Sequence, residues 1–145
     1  MSTSVLVING PNLNLLGLRE PEIYGHETLD DIMADLQSLA DERGVKLETF
    51  QSNIEGEIID KLHDARGRVD GVVLNPGAFT HYSIAIRDAI AAIEVPVVET
   101  HVSNIHAREE WRQRSVLAPV CLGVVAGFGR HSYAVAFDAL LRHLG

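Results

Sequence analysis

The sequence predicts an α/β fold, a doubly wound five-stranded parallel sheet forming a single catalytic domain over residues 1–145. Three observations carry this prediction. Short apolar, β-branched runs recur along the chain, among them SVLVING, DGVVLN, VPVVETH and CLGVVAG. Apolar residues fall at helical spacing in the segments between them. The two kinds of segment alternate from end to end, and that alternation implies parallel pairing with helices on both faces. The length of 145 residues and a hydrophobic content of 46% suit one packed domain.

SVLVING is a buried strand ended by Asn-Gly. Thr28 opens a helix, with Asp31 completing a capping box, and Leu29, Ile32, Met33, Leu36, Leu39 and Ala40 follow at helical spacing until Gly44 closes it. VKLETFQS alternates as a strand. Ser52 and Glu55 read as a second capping box, opening EGEIIDKLHDARG. DGVVLN is apolar enough to be buried on both faces. Ser83 begins a helix with Ile84, Ile86, Ile90 and Ile93 expected inward. VPVVETH is a strand with Pro96 at its start, where no ladder donor is missed. HAREEWRQR reads as a short charged helix, CLGVVAG as the fifth strand and SYAVAFDALLRHL as the closing helix. Five strands so connected suggest the flavodoxin-like order 2-1-3-4-5, in which ligands bind beyond the carboxyl ends of the strands where the order reverses.

Composition narrows the function. A net charge of −8 repels phosphate backbones, so no nucleic-acid partner is expected. No apolar run approaches the ~20 residues that span a bilayer, and MSTSVLVINGPN has no signal-peptide pattern, so no membrane association and a cytoplasmic location are expected. Cys121 is the one cysteine; its apolar neighbours suggest a buried, inert thiol, and no Cys/His zinc framework is possible. Ten arginines stand against two lysines, Lys46 and Lys61. Neither lysine falls near the switch point, which disfavours Schiff-base chemistry.

The strand ends hold the chemistry. Strand 1 ends in NGPNLN, strand 3 in NPGAFTHYS and strand 4 in ETHVSNIH, which gathers Asn9, Asn12, Asn75, His81, Glu99, His101 and Ser103 at one end of the sheet. Asn9 reads as a turn former, whereas Asn12 and Asn75 lie at the switch point. Glu99 and His101 are alternate strand residues, so they point the same way, and a carboxylate beside an imidazole fixes its tautomer and supports its cation. His81 is either a residue of the helix cap or part of the site. Arg108 and Arg112, at i and i+4 of the charged helix, either pair with Glu109 and Glu110 or meet an anion. Glu99, His101 and His106 make a weak two-histidine, one-carboxylate set, and no metal is expected. GFGRHS follows the last strand without the βαβ context of a dinucleotide site, so Gly127 and Gly129 read as turn residues and no nucleotide cofactor is expected.

LGLREPEIYG leaves strand 1 at the switch point and can fold over the site, with Gly17 and Gly25 as hinges. An arginine beside a phenol favours its ionised form. Tyr24 either packs the loop down beside a solvated Arg19 or, with a histidine across the site, makes with Arg19 a base, and a base facing a histidine acid describes an elimination or an isomerisation. A non-catalytic binding module of the same fold remains the alternative from another class.

NGPNLNLLGLREPEIYG, FQSNIEGEIID, LNPGAFTHYSIAIRDA, PVVETHVSNIHAREEWR and GVVAGFG together resemble type II 3-dehydroquinate dehydratase, over almost the whole chain. The resemblance implies a lyase of the shikimate pathway to chorismate and aromatic amino acids. Such an enzyme converts 3-dehydroquinate to 3-dehydroshikimate by anti elimination through an enolate, without cofactor or metal. It implies Tyr24 as base, Arg19 as the lid arginine that favours its ionised form, and His101 as acid with Glu99 behind it. Asn12 would hold a water on the enolate oxygen. Asn75 would orient substrate near the leaving hydroxyl, Val102 and Ser103 would bind the carboxylate, and His81 and Arg112 would meet ring hydroxyls. Arg108 matches a supporting residue, and Asp88 one that reaches the site of a neighbouring subunit in a homo-dodecamer of four trimers. Ser132 stands where such proteins commonly have glycine.

Overall fold

The computed structural model describes residues 2–145. Five parallel strands, β1 (Ser4–Asn9), β2 (Lys46–Gln51), β3 (Gly71–Asn75), β4 (Val97–His101) and β5 (Gly123–Ala126), form one sheet in the order β2-β1-β3-β4-β5. This is the order the alternation predicts. The helices are α1 (Pro21–Tyr24), α2 (Leu29–Arg43), α3 (Glu55–Ala65), α4 (Ile84–Ile93) and α5 (His131–Leu144). Among the described residues no helix is long and apolar enough to cross a membrane.

Side chains alternate across each strand, and so two cores form from one sheet. Val5 and Val7 of β1, with Val73 and Val98, pack against Ile32, Leu36 and Ala40 of α2 and Ala136, Phe137 and Leu140 of α5. Leu6 and Ile8, with Val72, Leu74 and Val97, face Ile58 and Leu62 of α3 and Ile86, Ile90 and Ile93 of α4. Burying each such aliphatic side chain contributes ~1.5–3 kcal/mol, so the two cores hold the strand ends rigidly in place.

Local signals account for the helix ends. Thr28 accepts from the Asp31 N–H at 3.1 Å while the Asp31 carboxylate accepts from the Thr28 N–H at 3.1 Å. Gly44 ends α2 in the left-handed region. Ser83 caps α4 by accepting from the Ile86 N–H at 3.0 Å.

Four sequence expectations are corrected. Ser52 and Glu55 make no capping box, because α3 starts after Ile54. Ser52 Oγ instead accepts from the Ile54 N–H and donates to Glu57, while Glu55 accepts from Ser83 of the neighbouring helix at 2.5 Å. Ile84 is 55% exposed, not inward. It lies two residues before Ile86, about 200° around the helix, and so faces away from the core. HAREEWRQR is not a helix but two 3-10 turns, Ile105–Ala107 and Glu110–Arg112. It has no apolar stripe to bury, so nothing holds a longer helix together. Cys121 lies before β5 and is only partly buried, though burial pushes its thiol up to about 12, which leaves it unreactive.

Thr28→Ala removes one half of the capping box. It is expected to lower unfolding stability by about 1 kcal/mol in urea titration, with the denaturant slope unchanged.

Candidate active site

Strand register brings the chemistry together. Asn9 pairs with Asn75 at the ends of β1 and β3, Leu74 pairs with Glu99, and His101 pairs with Ala126. A pocket opens beyond these ends. Asn12, Arg19, Tyr24, Asn75, His81, His101, Val102, Ser103, Arg108 and Arg112 all line it, together with Pro11, Leu13, Gly77, Ala78 and Ile105. Glu99 stands behind His101, fully buried. Asp88 lies exposed on α4 and does not line the pocket of its own chain.

The loop from strand 1 folds over this pocket. Gly17 takes φ +91°, and a Cβ there would sit 2.7 Å from the His26 carbonyl oxygen, so only glycine fits. Gly25 takes φ +86° at the other end. Between them Pro21 starts the one-turn helix α1, an element absent from the sequence reading. Its last residue, Tyr24, turns to the pocket between two guanidinium groups. Arg19 lies over the ring face, 4.9 Å from the centroid. Arg108 donates to the Tyr24 hydroxyl at 2.5 Å and also lies over the ring, 5.2 Å from the centroid. The sequence offered Arg19 as the tyrosine's partner. The arginine on the phenol oxygen is Arg108, from a distant part of the chain.

Across the pocket, His101 Nε2 donates to the Glu99 carboxylate at 2.5 Å. Thr80 donates to the same oxygen at 2.5 Å, and Ser115 donates to the other at 2.8 Å. Burial pushes the Glu99 carboxyl up, but the bonds from His101, Thr80 and Ser115 outweigh it and hold the group below the usual carboxylate range. Glu99 is therefore an anion in a dry place. With Nε2 committed to it, the imidazole addresses the pocket through Nδ1. Neither Thr80 nor Ser115 was singled out in the sequence. Both are ordinary loop hydroxyls there, and only folding aims them at one carboxylate.

Asn12 has φ +67°, a left-handed conformation that asparagine tolerates, and its backbone N–H donates to Asn53 Oδ1 at 2.9 Å. Asn75 Oδ1 accepts from the Gly77 N–H at 3.2 Å, and Nδ2 donates to the Tyr133 hydroxyl at 2.9 Å. Asn9 is no mere turn former. It is buried, and its Oδ1 accepts from Tyr133 at 2.6 Å. Tyr133 was another residue without a signal, since a tyrosine at a core position of a helix reads as packing. Burial pushes its phenol up, against the smaller opposing effect of the Asn75 bond. Ser132 is also buried and its Oγ accepts from the Phe128 N–H at 3.0 Å, tying down the turn that Gly127 and Gly129 make with positive φ.

The remaining polar groups form a rim. Ser103 Oγ is within 3.5 Å of Arg108 Nη1. Arg112 donates to Glu109 at 2.8 Å and stacks on Trp111 at 4.1 Å. His81 ends the 3-10 turn Gly77–His81 rather than heading α4, and its Nδ1 donates to the Arg114 carbonyl at 2.8 Å. Among the described residues no three His, Cys, Asp or Glu side chains are placed to hold a metal ion. His106, the third member of the set weighed from the sequence, is exposed.

Known proteins resemble this chain along its length. The family described as Dehydroquinase class II matches residues 3–141. A 3-dehydroquinate dehydratase of Synechococcus sp. (strain WH7803) is 56% identical over 140 residues, covering 97% of this chain and 95% of the relative. A catabolic 3-dehydroquinase of Verticillium alfalfae is 51% identical over 144 residues, covering 99% and 96%. The crystal structure of type II dehydroquinase from Butyrivibrio crossotus superposes with a TM-score of 0.95 at 46% identity, covering 97% of this chain and 98% of that one.

The His81 ring makes a prediction of its own. Burial lowers its proton affinity, and the nearby His101 and Arg112 charges add to that against the Arg114 carbonyl. Its midpoint in an NMR titration is expected below 6.5, with Nδ1 protonated and Nε2 an acceptor at neutral pH. The unfolded chain then binds this proton more readily, so His81 erodes stability as pH falls from 6.5 toward the folded midpoint.

Proposed function

We propose that the chain, which belongs to the class II dehydroquinase family, removes water from 3-dehydroquinate to leave 3-dehydroshikimate, a step of the shikimate pathway. The observation that carries the mechanism is the pairing across one pocket: a phenol held by Arg108 faces an imidazole held by Glu99.

Tyr24, ionised, takes the proton next to the ketone. The C–H electrons move into the ring and onto the ketone oxygen, giving an enolate. A water held by Asn12 hydrogen-bonds that oxygen. The enolate then collapses, the carbon–oxygen bond of the leaving hydroxyl breaks, and His101 supplies the proton that turns hydroxide into water. Protonated Tyr24 and neutral His101 remain, and transfer of one proton from the first to the second restores the starting state. A hydrogen bond from a charged donor is about twice as strong as a neutral one, so the Arg108 contact stabilises the tyrosinate directly. Arg19 adds its charge over the ring. Glu99, held anionic, stabilises the His101 cation before it gives up its proton.

Substrate contacts follow from the lining. Val102 and Ser103 bind the carboxylate, with Arg108 beside them. His81 Nε2 accepts from one ring hydroxyl and Arg112 donates to another. Asn75 orients the leaving side. No cofactor enters any step. By the same resemblance the enzyme is a cytoplasmic homo-dodecamer of four trimers, with Asp88 of one copy reaching the site of the next.

Mixing protein with 3-dehydroquinate tests the reading through the ultraviolet absorbance of the conjugated enone. Tyr24→Phe and His101→Ala are each expected to lower kcat at least a hundredfold. Near-normal turnover in either variant sinks the assignment, and a wild-type protein that binds ligand without turnover leaves the non-catalytic module. Sedimentation is expected to give twelve subunits. Asp88→Asn is expected to raise KM, and a monomer with unchanged KM on that substitution contradicts the subunit role.

A further inference from the structure

Beneath the pocket runs a buried polar chain with a fixed direction. Asn9, Tyr133 and Asn75 are 1%, 1% and 2% exposed. The Tyr133 hydroxyl donates to Asn9 Oδ1 at 2.6 Å and accepts from Asn75 Nδ2 at 2.9 Å. Asn9 Nδ2 reaches Met33 Sδ at 3.6 Å, and Asn75 Oδ1 accepts from the Gly77 N–H at 3.2 Å.

A side-chain amide can be turned over, exchanging its oxygen and nitrogen, so partner chemistry decides which end faces where. A thioether has no proton to give, so Asn9 must turn its NH2 to Met33 and its oxygen to Tyr133. A backbone N–H can only donate, so Asn75 must turn its oxygen to Gly77 and its NH2 to Tyr133. The phenol has one proton, and it goes to Asn9. The two ends of the chain therefore impose the same polarity independently. One proton on Asn75 Nδ2 is left without a protein partner among the described residues, and Asn75 lines the pocket.

We propose that Tyr133, which does not line the pocket, is a positioning residue for the reaction: backed by Asn9 and Met33, it holds the Asn75 amide so that its remaining N–H is presented to the substrate. The inference rests on the dehydratase reading above. A reversed amide would set oxygen lone pairs against the phenol oxygen and NH2 against the Gly77 N–H, with both contacts repulsive. Removing the phenol oxygen leaves Asn75 one bond, at 3.2 Å, and frees it to swing.

The test is a double-mutant cycle on 3-dehydroquinate turnover with Tyr133→Phe, Asn75→Ala and the pair together, after thermal melting has established that each folds. Tyr133→Phe alone is expected to lower kcat about tenfold, the loss of one well-aimed hydrogen bond. In the Asn75→Ala background it is expected to cost nothing further, because the two act as one unit. An equal loss in both backgrounds marks a merely structural tyrosine and overturns the inference, as does full activity in Tyr133→Phe. Should Tyr133→Phe not fold, Asn9→Leu replaces it with the same expected non-additivity, and failure of both to fold also overturns the inference. Inactive wild-type protein overturns the dehydratase reading itself, whereas active wild type with additive losses overturns only the role given to Tyr133.

Discussion

The buried charge of Glu99 is the constraint around which the site is arranged. An unpaired carboxylate with no exposure would cost several kcal/mol, and the fold must supply donors for both oxygens. It does so from three places: His101 on the same strand, Thr80 in the turn before α4, and Ser115 in the loop before β5. Ser115 is itself fixed, because its Oγ also accepts from the backbone N–H groups of Leu117 and Ala118 at 3.1 and 3.0 Å. Satisfying the charge therefore fixes the loop, and fixing the loop orients the imidazole. The hydrogen bonds that satisfy the buried charge are the ones that set the imidazole against the pocket.

The opposite wall follows another logic. Tyr24 sits on a one-turn helix of a loop that runs between Gly17 and Gly25, partly buried and packed against the edge of the core on the α2/α5 side of the sheet. To that packing are added the Arg108 hydrogen bond on its hydroxyl and the Arg19 guanidinium over its ring. The imidazole stands on a central strand of the sheet, and the phenol on a loop flanked by Gly17 and Gly25, both at positive φ.

Much of this was legible because it is local. Thr28 with Asp31, Ser83, Gly44 and the apolar alternation of the strands are signals within a few residues, and the sheet order then gathers the strand ends without further information. The gathered residues Asn12, Asn75, Glu99 and His101 could thus be placed before any coordinates. The misreadings have physical reasons. Ser52-x-x-Glu55 satisfies a capping pattern, yet Glu55 is drawn to Ser83, 28 residues away. HAREEWRQR has helix-forming residues but no buried face. The contacts that organise the site most tightly join Arg108 to Tyr24 and Tyr133 to Asn9, separated by 84 and 124 residues. Windows of sequence carry no trace of pairings that distant.

Net charge and local charge point in opposite directions here. The chain carries −8 overall, yet Arg19, Arg108 and Arg112 converge on one pocket. Their acidic neighbours do not cancel them. The Arg108 and Arg112 side chains are 10% and 16% exposed, whereas Glu20 and Glu109, at 3.6 and 2.8 Å, are 43% and 51% exposed. Water screens these two carboxylates more than the guanidiniums, so they offset the Arg108 and Arg112 charges only in part. A small hydroxylated anion can enter that field alone. A nucleic-acid backbone would have to lie across the acidic surface as well, where like charge repels it.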